Sequence, residues 1–555
     1  MVPPGSIAIE RCNYGPWFSC RDANTRAKRE HLPVLNVILI LLILLIAVAR
    51  RRSFLSAPVQ LAVVLPFARA RLLNQLKILQ VSRVDVVGGA ARIAWNLFQS
   101  YRALGFTSWL AVGQKDSNDS DVLLIPKVKD NWSRVLWSIH ARVRSLEKMP
   151  GGWRILAAIA RVAELRREFD KFWGIEDFRH PSSREILKLP PLRPNIVHCH
   201  NLHGDYFDLG ALSMLSHEVP VVLTLHGEWW LTGHCSYSFD CERWKIGCGK
   251  CPDLNSYPAI RRDATAYNWQ RKQAIYAQSK LYVATPSRWL MENVEQSMLM
   301  PGVKEARVIP NGVDRSVFHW ADRSVVRAQL GLPRDAKILL FTAVNARTNQ
   351  GKDYGTIRNA VGKVASRDSS QKLIFIALGD EAPREHVGPA EIRFIQYEKD
   401  PESVARYYQA ADLYLHAAKA DNFPNTVLES LACGTAVVAS ATGGIPEQIK
   451  GLNLVGSDKW NRFGADEATG VLVRTGDAEA MSTVIQTLLN EDTLRQQLGR
   501  NAMKDAEQRF DLLKQAGAYL EWYSEVLEEF SGNTHQTNQN LVNKFPQELL
   551  ELHSS

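Results

Sequence analysis

Cysteine is scarce in this chain: eight in 555 residues, too few for a fold held by disulfide staples. No basic helix runs into a heptad repeat, no finger spacing occurs and no RNA-binding aromatic signature is present. These absences remove the recognisable nucleic-acid modules, and no nucleic-acid partner is expected. Neither half of the chain carries Gly-x-Gly-x-x-Gly after its first strand, which argues against an NAD-dependent dehydrogenase. No internal repeat is present beyond two similar halves. What remains is a globular composition, 46% hydrophobic and 23% charged, with a net charge of +9 that suits anionic partners.

Long apolar runs are also few. Val34–Ala49 falls slightly short of the roughly 17–25 residues of a spanning helix. It is followed by Arg50, Arg51 and Arg52, and preceded by Arg21, Arg26, Lys28 and Arg29, so charge does not fix an orientation. Three readings stay open: a single anchor, an uncleaved signal, or residues foreign to the native protein. Globular periodicity begins only at Leu76, so residues 1–75 are read as an N-terminal extension.

From Leu76 onward, short apolar runs alternate with helical stretches. The runs at 76–82, 108–113, 195–200, 219–226, 281–287 and 307–313 form one set. After an arginine-rich stretch at 322–335 a second set follows at 336–344, 372–379, 392–397, 412–418 and 435–440. Alternation of this kind predicts parallel, doubly wound sheets. The expected fold is α/β, with two Rossmann-like doubly wound domains, 76–314 and 320–510, facing a cleft. A C-terminal helix at 511–530 and a polar tail at 531–555 complete the chain. Ligands of such sheets bind at the carboxyl ends of the strands, so the facing ends form the expected site.

The densest chemistry lies at Asp421-Asn-Phe-Pro-Asn-Thr-Val-Leu-Glu429. Pro424 suits a helix start, whose free N–H groups attract anions. Asp421 and Glu429 read either as a cap and a surface residue or as acceptors for vicinal hydroxyls. A second pair, Arg347 and Lys352, follows the first strand of the second half, where two cations in a loop read either as surface charges or as contacts for an anion. Gly88-Gly89 sits between the first strand and helix, where glycine admits a ligand close to backbone. His226 ends the run VVLTLH, and a histidine there reads first as structural.

The stretch 412–449, with DNFPNTVLESLACGTAVV and then TGGIPE, resembles the donor-site signature of retaining family 4 glycosyltransferases of the GT-B fold. The resemblance covers about Leu76–Phe530. It implies that the first domain takes an acceptor and the second a nucleotide-sugar, UDP- or GDP-linked. It implies that Glu429 holds the ribose, Asp421 the transferred sugar, and Phe423, Asn425 and Thr426 the diphosphate and sugar. Arg347 and Lys352 would meet the leaving phosphates, His226 the sugar or acceptor, and Gly88 and Gly89 the acceptor and phosphate. His198, His200 and His203 would be cleft scaffolding. Asp421 stands where the family more often has Glu, and Asp353 where it more often has Gly after the lysine; these departures leave the donor sugar open. No metal or other cofactor is expected for catalysis. A sugar phosphorylase or epimerase on the same fold, and a non-catalytic scaffold of a polysaccharide-assembly complex, are the alternatives.

Two segments stand apart. Cys235, Cys241, Cys248 and Cys251 lie within one short stretch, which reads as a structural zinc site, as disulfides or as plain buried thiols. The surrounding segment resembles bacterial exopolysaccharide glycosyltransferases of the colanic-acid type. That likeness implies a lipid-linked or oligosaccharide acceptor and a cytoplasmic enzyme at the inner face of the membrane. Asn131–Phe172 is basic and tryptophan-bearing; it reads either as a solvated helical hairpin or as a surface for an anionic membrane.

Overall fold

The computed structural model describes residues 76–127, 131–144, 152–454 and 459–530, all in the compact unit Phe67–Ser555. The apolar run Val34–Ala49 and the tail 531–555 lie outside the described residues. Among the described residues no helix is long and apolar enough to cross a membrane.

The first half builds a seven-stranded parallel sheet. Its strands are β1 (Lys77–Val84), β2 (Thr107–Gln114), β3 (Val122–Leu124), β4 (Ile196–Cys199), β5 (Val221–Thr224), β6 (Leu281–Thr285) and β7 (Val303–Val308), in the order β3-β2-β1-β4-β5-β6-β7. All four residues of β4 and of β5 are buried. That is why these strands read as largely apolar runs, with His198 and Thr224 the exceptions: helices cover both faces of a parallel sheet.

The second half builds a nine-stranded sheet. It contains β8 (Lys337–Thr342), β9 (Leu373–Leu378), β10 (Glu385–Val387), β11 (Ala390–Ile395), β12 (Leu413–His416), β13 (Val437–Ser440), β14 (Gly451–Leu452), β15 (Asn461–Phe463) and β16 (Gly470–Val473). Their order is β10-β11-β9-β8-β12-β13-β16-β14-β15, and β10 is the antiparallel member. The arginine-rich stretch between the halves folds as the helix Arg323–Gln329, capped by Asp322, with Arg327 buried.

The run 307–313, expected as a strand, is displaced. β7 ends at Val308, and Asn311–Val313 leave the sheet to meet the other half. There Val313 pairs with the chain as it returns at Phe510–Leu512. The helix Leu512–Phe530 then packs on the first half, burying Tyr519, Trp522 and Tyr523 against Leu97 and Tyr101. Its polar atoms are satisfied there. The Tyr523 hydroxyl lies 2.6 Å from His198 Nδ1, and the Tyr519 hydroxyl 2.7 Å from Thr224 Oγ1.

Candidate functional site

The carboxyl ends of β8 and β12 are laced together. Lys352 forms a bridge with Ala418, and Asp353 N–H donates to Ala417 O at 3.0 Å. This lacing sets Lys352 beside the loop that follows β12. Its ammonium pairs with the carboxylate of Asp421 and lies 3.2 Å from His416 Nε2, which is itself 3.2 Å from Asp421 Oδ2. Burial opposes ionisation of Asp421, but the Lys352 charge and the His416 contact outweigh it and hold the carboxyl below its ordinary range. Burial and the neighbouring Lys352 push His416 down to about 4, so its ring is neutral near pH 7. Asp353 has another task than its sequence position suggests: it caps the helix Tyr354–Arg367, accepting from the Thr356 hydroxyl at 2.6 Å.

Pro424 stands at the N-cap position of the helix Asn425–Ala432 and makes no side-chain cap. Glu429, on this helix, accepts from the Tyr408 hydroxyl at 2.9 Å. Burial raises its carboxyl above the ordinary range, and Tyr408 and Arg92 of the first half only partly offset it. Arg92 lies on the first helix, Gly89–Ala103. Asn425 reaches across: its Nδ2 donates to Gly89 O at 3.1 Å. Phe423 O accepts from Asn311 Nδ2 at 3.4 Å, and the Phe423 ring meets Phe510. Thr426 lies at the far side of His416, its hydroxyl 3.5 Å from Nδ1.

A cleft of about 710 Å³ opens between the halves, with Gly88, Gly89, Arg83, His203 and His226 on one wall and Asp421, Phe423 and Asn425 on the other. Gly88, at φ 99°, makes the left-handed turn from β1 into the first helix. The His226 ring stacks on His200, with Nε2 3.0 Å from His200 Nδ1, and burial lowers it to about 4. His198 and His200 sit behind it, fully buried, while His203 faces the cleft against Trp229 and Tyr257.

The loop carrying Asp421 is clamped from both sides. Ser287 donates its hydroxyl to Asn422 Oδ1 at 2.6 Å, and Glu447 accepts from the backbone N–H groups of Arg288 and Trp289, both at 2.8 Å. A Cβ at Gly443 would stand 1.8 Å from Asp421 O, and φ there is +55°. The glycines of TGGIPE therefore admit the Asp421 backbone.

Arg347 is engaged away from the Lys352–Asp421 pair, while the four cysteines do come together. Arg347 is turned to Asp380, with Nε 3.1 Å from Oδ2, and to Glu381 O. It lines the cleft no more than Lys352, Thr426 or Glu429 does. Asp380 lies far along the chain, so its capture of Arg347 left no mark in the motif. The four cysteines line one small cavity of about 20 Å³, as free thiols. Among the described residues no group of His, Cys, Asp and Glu is arranged to hold a metal ion. The thiols have separate partners: Cys248 Sγ accepts from Gly233 N–H at 3.3 Å, and Cys251 Sγ donates to Asp253 O at 3.4 Å. Arg83, Arg92 and His416 were missed in the sequence, and Glu447, which closes TGGIPE, was given no role there. Of the three missed, His416 alone had a local signal, as the polar end of an apolar strand beside Asp421.

Two family models match: one described as glycosyl transferases group 1, over residues 323–505, and one as glycosyltransferase family 4, over residues 87–317. The chain is similar to the putative colanic acid biosynthesis glycosyl transferase WcaC of Escherichia coli K12, at 26% identity, covering 44% of this chain and 60% of that protein. It is also similar to the D-inositol 3-phosphate glycosyltransferase of Saccharomonospora viridis, at 27% identity, covering 72% of this chain and 96% of that protein. Among solved structures, a sucrose-phosphate synthase from Thermosynechococcus elongatus aligns at TM-score 0.50 and 17% identity, covering 82% of this chain and 100% of that one. A glycosyltransferase from Rickettsia africae aligns at TM-score 0.51 and 16% identity, covering 82% and 99%. At those identities the structural likeness concerns the fold.

Proposed function

This chain is a family 4 glycosyltransferase of the two-domain GT-B fold, and from that premise we propose that it moves a hexose from a UDP- or GDP-sugar to an acceptor hydroxyl with retention of configuration. The observation that supports the reading is the Lys352–Asp421–His416 cluster at the strand ends, whose Asp421 lines the cleft that Gly88 and Gly89 line from the other wall. Departure of the nucleotide concentrates charge on the diphosphate. Lys352, already fixed in place, strengthens its contact as that charge grows, which lowers the barrier. Arg347 joins it only by exchanging Asp380 for phosphate. The start of the helix Asn425–Ala432 offers backbone N–H groups to the same anion.

Glu429 accepts from the ribose hydroxyls and Asp421 from the sugar. His226, neutral, contacts sugar or acceptor. The acceptor attacks the face that the diphosphate leaves, and the leaving phosphate oxygen takes the acceptor proton. Catalysis is then positioning and leaving-group stabilisation. Nucleotide release by the full chain from a panel of UDP-, GDP- and ADP-sugars tests this. One donor should be hydrolysed slowly, and Glu429→Gln should weaken its binding about tenfold, the size of one charge-assisted hydrogen bond. No turnover and no nucleotide binding would replace the enzyme with a non-catalytic scaffold.

The likeness to the colanic acid protein, of which the chain spans three-fifths, supports a role in exopolysaccharide synthesis with a lipid-linked acceptor. The helices Asn131–Arg142 and Gly152–Trp173 support a membrane surface. They expose Val135 and Ile139 on one, and Ile155, Val162 and Phe169 at seven-residue spacing on the other, beside exposed Arg142 and Lys171. Apolar side chains among cations suit an anionic bilayer at the cytoplasmic face. In co-sedimentation, the chain should bind vesicles containing phosphatidylglycerol and leave pure phosphatidylcholine unbound, with Phe169→Glu releasing it. Equal recovery in the supernatant with both would remove the membrane from the reading.

A further inference from the structure

The second domain has another cavity, of about 470 Å³, at the amino ends of β12 and β13. This is the opposite end of the sheet from the site above. Its walls include Trp320, Arg323, Asp412, Arg495, Arg500 and Thr435.

The charges in this cavity do not balance. Asp412, buried, accepts from Arg327 Nη2 at 2.8 Å and from Ile338 N–H at 2.7 Å. Arg323 and Arg495 reach it only at 3.4 and 3.7 Å. Arg327 is otherwise spent on the carbonyls of Ala410, Arg334 and Ala336. Arg495 is spent on Leu488 O, Leu489 O and Asp492, a carboxylate shared with Lys337. Asp322 is occupied in capping, accepting from Ser324 and Val325. Arg323 is left with its long contact to Asp412, and Arg500 with Gln497 Oε1 at 2.7 Å. Among the described residues the Nε of Arg323 and of Arg495 have no hydrogen-bond partner, and Arg495 is only 5% exposed. A buried guanidinium donor without an acceptor is costly, and an anion is what would satisfy it. Burial makes the charged form of Arg323 harder to hold, and the attraction of Asp412 is countered by the charges of Arg327 and Arg495.

Trp320 stands at the rim with 62% of its surface exposed. A large indole left open beside arginines suits the C–H face of a sugar ring.

We propose that this cavity binds a phosphorylated sugar, with the phosphate on Arg323, Arg495 and Arg500 and the ring on Trp320. The site connects to the donor region. Thr435 donates its hydroxyl to Tyr408 O at 2.7 Å, and the Tyr408 hydroxyl donates to Glu429 at 2.9 Å. The helix Asn425–Ala432 runs from the cleft to the cavity wall at Cys433 and Gly434. An occupant therefore acts on Glu429 through Tyr408, and the phosphorylated sugar is an effector of donor binding. The effector role rests on the proposed role of Glu429; the binding itself does not.

Calorimetric titration of the full chain with glucose 6-phosphate, and separately with inorganic phosphate, tests the site. Glucose 6-phosphate should bind at least tenfold more tightly than phosphate and remain bound in excess UDP and GDP. Arg323→Gln and Arg500→Gln should each weaken it at least tenfold. Arg500, exposed and remote from the cleft, should leave basal donor turnover within twofold when replaced. Trp320→Ala should erase the advantage over phosphate. Absence of binding by the wild-type chain, displacement by UDP or GDP, or unchanged affinity in Arg500→Gln would overturn the site. Equal affinities for the two probes in the wild-type chain would overturn the sugar. Binding with no change in the affinity for the nucleotide-sugar would overturn the effector role alone. Absence of donor turnover would fall on the proposed enzyme reaction and leave the binding result intact.

Discussion

Lys352→Ala is expected to lower kcat/KM for the nucleotide-sugar by about 10²–10³-fold, the cost of removing one fixed partner of developing charge. The same change removes the counter-charge of a buried carboxylate, since Asp421 is only 11% exposed at its side chain. Breaking such a pair from one side costs about 3–5 kcal/mol. Loss of activity alone would thus confuse a missing cation with a weakened fold. The double variant Lys352→Ala with Asp421→Asn separates them, because it removes both charges together. Its urea midpoint should return most of the way to that of the wild-type chain, while turnover stays about 10²-fold or more below that of Asp421→Asn alone, which shares the lost contact to the sugar. If turnover returns with stability, Lys352 is a structural charge and the leaving diphosphate is held by other groups.

The sequence made the sheets legible for a physical reason. β4, β5, β8, β9, β12 and β13 are covered on both faces, so each reads as a largely apolar run, broken by one or two polar residues at most. β3, β10, β14 and β15 are two or three residues long and show no period. The run 307–313 misled because Pro310 cannot donate to a ladder and Gly312 must approach Leu512, where a Cβ would stand 2.6 Å from its Cα. Of the site, the spacing from Asp421 to Glu429 was readable because both lie on one loop and helix. Arg92 was not, since a cation on an amphipathic helix looks solvated until Glu429 is placed opposite. Arg347 read as a partner of Lys352, but Asp380 holds it from another strand end.

Acid should begin to destabilise this chain at about pH 6.5, above the ordinary carboxylate range. Burial lowers His198 to about 3 and His203, His226 and His416 to about 4, and His200 falls well below its ordinary value. Each ring is neutral in the fold and protonates near its ordinary value, about 6.5, once the chain opens. The unfolded state thus binds more protons as pH falls below that value. Stability from these groups is complete above it and declines toward pH 4, at about 1.4 kcal/mol per pH unit per histidine. Glu176, Glu228 and Glu429 are raised by burial; they take up protons in the fold first and offset part of the loss. Urea unfolding at pH 7.5 and 5.5 should show a fall of several kcal/mol, and equal midpoints would exclude this account. The location of the rings makes the loss cooperative. His198 holds Tyr523 of the returning helix, and His200 joins Gln80 of β1 to His226 in the cleft. A proton on this chain of rings loosens the C-terminal helix and the cleft wall together. Turnover should therefore fall in step with the unfolding signal as pH drops, and not ahead of it.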